Sequence, residues 1–180
     1  ELIDAQKEPA VSKNCGGMEL HLCRCATEVD FMINVPVMKG HCQTHITCAL
    51  KNMKGLLPNR EKRRFHAEGL HRPIAHLALG VHQDFILVDS ICGDLSFEDG
   101  GNPTQMDRLM AAVDPVLMDA YVCQLLGYEV EEVPYVTMAE ELYVGSADLA
   151  HAKIRELNAP IHPGGKADKD KVMKLAEIAQ

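Results

Sequence analysis

Residues 85–91 read Phe85-Ile86-Leu87-Val88-Asp89-Ser90-Ile91, four consecutive apolar side chains closing on a carboxylate and a hydroxyl. A half-exposed strand would alternate apolar and polar residues. A nearly continuous apolar run of this length instead predicts a central strand of a parallel sheet, covered on both faces. Such sheets gather their functional groups at the carboxyl ends of the strands, which singles out Asp89. Two shorter runs, Phe-Met-Ile-Asn-Val at 31–35 and Leu-Met-Ala-Ala-Val at 109–113, have the same character. All three are expected side by side in one sheet.

Helical signals separate these runs. Over 43–53 the apolar residues Ile46, Ala49, Leu50 and Met53 recur at helical spacing, with Thr44 as the cap and Gly55 as the stop. Residues 73–81 predict a helix opened by a proline. At Asp114-Pro115 a capping carboxylate and an N-terminal proline start another, whose apolar face of Val116, Leu117, Ala120 and Cys123 runs to Gly127. Residues 18–25 alternate as a strand with one covered face, and 59–72 read as a polar loop with a helical turn. One more helix between short strands is expected over 133–157, then a His-Pro-Gly-Gly linker and a charged amphipathic helix over 170–178. Gly100-Gly101-Asn102-Pro103 is a turn, in a loop that also carries Asp94, Glu98 and Asp99. The pattern predicts an α/β fold, a mostly parallel sheet with helices on both faces. Three parts are expected: an N-terminal remnant or edge strand of a larger protein at 1–28, an α/β core at 29–158, and a linker with a C-terminal helix at 159–180.

Composition narrows the function. The formal net charge of −8 over 180 residues argues against nucleic-acid binding by the whole surface. No apolar run approaches the roughly 18 residues that cross a membrane. Seven cysteines, an odd number scattered through apolar segments, do not form a disulfide framework and point to free thiols in a reducing, cytoplasmic setting. A chain that begins at Glu1 leaves a leader or a preceding domain open.

Against this acidic background, residues 39–72 hold eight Lys/Arg and two Glu, a local balance of about +6. A basic island fed by a strand and opening a helix is a setting for binding a small anion. The candidate ligand-binding residues are Lys39, His45, Lys51, Asn52, Arg60, Arg63 and Arg64. His41 is the candidate proton carrier, and Asp89 the carboxylate that orients it or a metal. His41 and His45 also form an H-x3-H pair able to hold a metal on one helical face. The zinc-protease motif is excluded, because no Glu lies between them. Asp89, Asp114 and Asp119 sit at a strand end or helix start, where such folds place their sites, and Asp114 is read as a helix cap.

Four motifs, N-V-P-V-M-K-G-H from Asn34, A-L-K-N-M-K-G-L from Ala49, the apolar strand closing on Asp89, and V-D-P-V-L-M-D-A from Val113, resemble the domain of unknown function 362 family. Members are often labelled iron–sulfur cluster-binding proteins. The resemblance covers roughly residues 29–157. It implies an α/β domain with a link to anaerobic or redox metabolism, and it implies that this is the C-terminal part of a longer protein. The C-x2-C-x2-C-x3-C run of a cubane cluster is absent from this chain. A second likeness is to the nucleotide-cofactor-binding part of the lactate racemase family. It would make His41 an acid/base or cofactor-side group and Lys51 the cofactor-anchoring lysine, although Ala49-Leu50 stand where that family has paired glycines. A metal or a nucleotide-type cofactor is thus compatible with the sequence. Three readings compete: an enzyme domain binding a small anion, a noncatalytic partner that docks an acidic ferredoxin-like protein, and a structural fragment whose basic segment is a loose loop. The first predicts that His41, Lys51 and Asp89 converge on a cleft.

Overall fold

The computed structural model describes residues 2–99 and 101–157. Ala10–Cys15 (β1) and Met18–Cys23 (β2) form an antiparallel hairpin, turned by Gly16 and Gly17 at φ of 63° and 86°. Alternation along β2 buries Met18, Leu20 and Leu22. After a single helical turn, Cys25–Glu28 (α1), the chain passes through Ile33–Asn34 (β3) into a small antiparallel hairpin of Lys39–His41 (β4) and His45–Thr47 (β5). One turn of α-helix follows, Ala49–Asn52 (α2), tightening into a 3-10 turn over Met53–Leu56. Two ten-residue helices come next, Asn59–Glu68 (α3) and His71–Gly80 (α4). The long strands Phe85–Asp94 (β6) and Pro103–Ala112 (β7) precede Pro115–Leu126 (α5) and Pro134–Glu141 (α6).

The three apolar runs do meet in one sheet, in the order β3-β6-β7. The sheet is mixed, not mostly parallel: β3 lies parallel to β6, while β7 returns antiparallel with a register shift between Ser90 and Cys92. The cause is the short connection between Asp94 and Pro103, since a parallel neighbour needs a crossover of a dozen or more residues. Among the described residues, helices do not cover both faces either. Ile86, Val88, Ser90 and Met110 point into the core, but on the opposite face Ile33, Val35 and Leu109 are 56%, 57% and 63% exposed. Continuity of apolar residues therefore misled the reading of 109–113 as a buried strand.

Three further expectations change. The helix expected from residue 43 begins at Ala49, because His45–Thr47 pairs with Lys39–His41. Residues 59–72 are helical on either side of a break at Gly69-Leu70, and not a loop. Glu61 and Phe65, one turn apart, are buried, and Arg64 bridges Glu61 and Glu68. Around α6 no flanking strand occurs among the described residues. The expected helix at 114–127 is present as read. Asp114 Oδ1 accepts from the amides of Val116 and Leu117, at 2.8 and 3.0 Å, and Gly127 closes the helix with a left-handed φ of 80°. The linker and helix expected at 159–180 lie outside the described residues. Leu20 and Leu22 of the N-terminal hairpin share one core with Phe65, Ile74, Leu77, Val88, Val122 and Tyr135. All seven cysteines are free, and Cys15, Cys23, Cys48 and Cys123 are buried.

Gly40 decides how closely the loop after β6 approaches β4, since a Cβ there would overlap the backbone of Leu95 and Ser96. Gly40→Ala is expected to destabilise the fold by about 1–3 kcal/mol in urea denaturation, the range of overpacking. At Gly101 a Cβ meets nothing within 4 Å, so Gly101→Ala should change stability by less than about 0.5 kcal/mol.

Candidate functional site

Strand pairing delivers the basic segment to its place. The Asp89 amide donates to the Pro36 carbonyl (2.8 Å) and the Met38 amide to the Asp89 carbonyl (2.9 Å), so the chain runs alongside β6 until it enters β4. The short helix α2 is then pinned from both sides. Buried Asp119 on α5 accepts from the amides of Ala49 (2.7 Å) and Leu50 (3.2 Å). Buried Asn34 donates its amide to the Ala49 carbonyl (2.8 Å) and to Gln83 Oε1 (2.6 Å), and accepts from Asn52 Nδ2 (2.7 Å). One turn of helix has little stability of its own, so these bonds hold the position of Lys51.

Lys51 lines a cleft of about 420 Å³ together with Lys39, His41, Thr47, Asn52, Lys54, Gly55 and Glu98, and Val35 and Val37 form an apolar wall. That volume suits a small ligand. Lys51 is 8% exposed. Its Nζ donates to Thr47 Oγ1 at 2.7 Å, and no carboxylate of the described residues forms an ion pair with it. Burial, reinforced by the charges of Lys54 and Lys39 and opposed by Glu98, brings its pKa down to about 7. Lys54 is lowered as well, by burial and then by Lys62.

Glu98 is the acid of the cleft, and it is already engaged. Cys42 donates to it from Sγ (3.0 Å) and from the amide (2.9 Å), which holds the carboxyl near pKa about 2, and the Glu98 carbonyl accepts from Lys39 Nζ at 3.3 Å. The loop carrying Glu98 is organised by Asp94, which accepts from the amides of Ser96, Phe97 and Asn102 and from the Ser96 hydroxyl.

His41 faces Glu98 with Nε2 3.8 Å from Oε1. Its Nδ1 accepts from the amides of Gln43 (3.1 Å) and Thr44 (3.3 Å), which places the ring proton on Nε2. Burial and then the charge of Lys51 depress its pKa to about 4. At neutral pH the ring is therefore uncharged and presents an N–H donor to the cleft. In that tautomer it is not a general base.

The cleft thus unites Lys39, His41, Lys51 and Asn52 of the expected set, and adds Thr47, Lys54 and Glu98. Asp89 does not join them. It lies on the face of the sheet away from the core, where its Oδ1 accepts from the Ile91 amide at 3.0 Å. His45 adopts φ of 61° and packs its ring on Tyr128 at 4.9 Å. Arg60 and Arg63 are exposed on α3 and do not line the cleft. Arg64 is bound to Glu61, Glu68 (3.5 Å) and the Glu19 carbonyl (2.8 Å). Glu98 escaped the sequence reading because it lies far along the chain in a turn-rich loop. Asp119, one of the carboxylates marked at a helix start, is found on the apolar face of α5 defined by Val116, Ala120 and Cys123.

A metal fits this arrangement poorly. The group of three or more metal-type donors among the described residues is His41, Cys42 and Glu98, with donor atoms within 4.8 Å of one another, and His45 is not part of it. The Nε2 that would bind an ion carries the ring proton, and Lys39, Lys51 and Lys54 oppose a cation. One cysteine in that group also leaves a four-thiolate cluster unsupported there.

Fold and cleft define a mixed α/β protein with a lysine-lined pocket at the edge of a three-stranded sheet. The chain belongs to the family described as Domain of unknown function (DUF362), which it matches over residues 1–124. It is also similar to the Thylakoid-associated protein sll1697 of Synechocystis sp., 25% identical over 133 residues. That similarity covers 68% of this chain and 40% of the relative, so the chain spans about two fifths of the length of the curated relative it matches. No solved structure matches. No helix of the described residues is long and apolar enough to cross a membrane.

Since folding lowers the pKa of Lys51 from 10.5 to about 7, the unfolded chain holds the extra proton between those values, and stability from this group rises with pH across that window. Below pH 7 the buried charge is a full penalty. Lys51→Met should raise stability by about 1–2 kcal/mol at pH 6 and by less at pH 10. Thermal melts of both proteins at the two pH values check this. A variant less stable at pH 6 would make Lys51 a structural ion-pair partner.

Proposed function

We propose that this cleft binds a small anionic molecule. The supporting observation is Lys51: a nearly buried amine with one hydroxyl partner, two neighbouring lysines and, among the described residues, no ion-paired carboxylate. An uncompensated buried charge is costly, and an anion seated against Lys39, Lys51 and Lys54 would remove that cost. The Nε2–H of His41 would add a neutral donor, and Val35 and Val37 an apolar surface for the carbon skeleton of the ligand. Asn52 would offer an amide edge. Glu98 would exclude a second anionic group on its side of the cleft. An acidic ferredoxin-like protein would require cations spread on one flat face. Arg64 is internally paired and three lysines face inward, which favours the small ligand. We place the protein in the cytoplasm, supported by seven unpaired thiols, of which Cys42 and Cys92 are exposed.

Binding of the anion should draw a proton onto Lys51, so affinity should fall as pH rises through 7. Inorganic phosphate or sulfate is expected to raise the melting temperature in proportion to the logarithm of its concentration, amounting to about 2.7 kcal/mol at a hundredfold excess over Kd. The shift should be larger at pH 6 than at pH 9, shrink with added chloride, vanish in Lys51→Met and persist in Arg63→Met. Persistence in Lys51→Met with loss in Arg63→Met would move the site to α3. No shift at any pH would leave the lysines without a ligand and end this reading.

A further inference from the structure

We propose that Lys51 is a carbonyl-reactive amine, which forms an imine with a small aldehyde or ketone whose carboxylate or phosphate is held by Lys39 and Lys54. The inference rests on the anion-binding reading of the same cleft and names the ligand class.

The geometry meets the three requirements of such a residue. The amine must be shielded yet reachable: Lys51 is 8% exposed, and it lines an open cleft. It must not be locked as an ammonium by a carboxylate. Glu98, the acid of the cleft, has both oxygens occupied by Cys42. It must keep its lone pair available, and the Thr47 hydroxyl, at 2.7 Å, can accept an amine N–H without using that pair. The charged and titratable groups facing it are Lys39, Lys54, His41, Glu98 and Cys42, and the lysines favour release of its proton. A pKa of about 7 leaves roughly half of Lys51 as free amine at neutral pH, about a thousandfold more than an ordinary lysine. Desolvation beside another cation is a known way to activate an amine.

The step is balanced without an added oxidant or reductant. The lone pair of the neutral amine attacks the carbonyl carbon, a C–N bond forms, and the C=O π pair moves to oxygen. The oxygen takes both amine hydrogens and leaves as water, giving C=N. One proton from solvent converts the imine to the iminium. The Nε2–H of His41, which also lines the cleft, can donate to the carbonyl oxygen while it gains charge.

Trapping tests this directly. The full chain is incubated with pyruvate or with dihydroxyacetone phosphate, and sodium cyanoborohydride delivers a hydride to the imine carbon, fixing it as a secondary amine. Peptide mapping should place one adduct on Lys51, formed at least about tenfold faster than on exposed Lys7. Its rate should be half-maximal near pH 7, and inorganic phosphate should slow it. Reaction with pyruvate alone assigns the anchor as a carboxylate, and with dihydroxyacetone phosphate alone as a phosphate. Lys51→Arg should lose the adduct, whereas Arg63→Met, outside the cleft, should keep both the adduct and the phosphate-induced thermal shift. If phosphate stabilises the wild-type protein but adducts spread over surface lysines at equal rates, the imine proposal is overturned and the anion site stands. If phosphate has no effect and no adduct forms on Lys51, both readings fail. Should Lys51→Arg not fold, the wild-type peptide map and its pH profile decide the matter.

Discussion

The carboxylate of Asp119 holds the site together. It is fully buried on α5 and accepts the first amides of α2, the single turn from which Lys51 projects. Burial pushes its pKa up to about 7, against the pull of those amides. Without this clamp, the one-turn helix would lose one of its two anchors, and a helix that short does not persist on its own bonds. Asn34 completes the attachment from the sheet side. The cleft is thus a joint between α5, β3 and the β4–β5 hairpin, and its chemistry depends on contacts well outside its lining.

Electrostatically, the cleft separates two populations of cations. Arg64 on α3 is matched to Glu61 and Glu68 and secures that helix to β2. Lys39, Lys51 and Lys54 instead face a common space whose acid is turned toward a thiol and an amide. Exposed charges in mutual pairs contribute little to recognition. Crowded, partly desolvated lysines perturb one another strongly, and that perturbation identifies where a ligand would have its largest effect.

Local signals were legible and long-range ones were not. Asp114, Pro115 and Gly127 define α5 entirely within its own segment, and the sequence reading of that helix matches the structure. The three apolar runs were correctly grouped, but the direction of β7 depends on the short connection between Asp94 and Pro103, which composition does not encode. Apolar spacing at Ile46, Ala49 and Leu50 suited a helix from residue 43, yet Ile46 is buried from a strand. Charge density marked Lys39 and Lys51 because the cations cluster in sequence as well as in space. Asp89 ends an apolar run but does not line the cleft, whereas Glu98 reaches it through a loop held by Asp94.

The parallel pairing of β3 with β6 has a kinetic consequence. Matching Ile33 to Phe85 closes a loop of about fifty residues, an entropic cost that the β1–β2 and β6–β7 hairpins do not meet. Near neighbours in sequence close at a lower entropic cost, so those hairpins are expected to form before the parallel ladder. Lys51 lies inside that long loop, and its clamp, Asp119, lies beyond β7. Burial of the lysine therefore depends on contacts far apart in sequence, and the cleft belongs to no single segment.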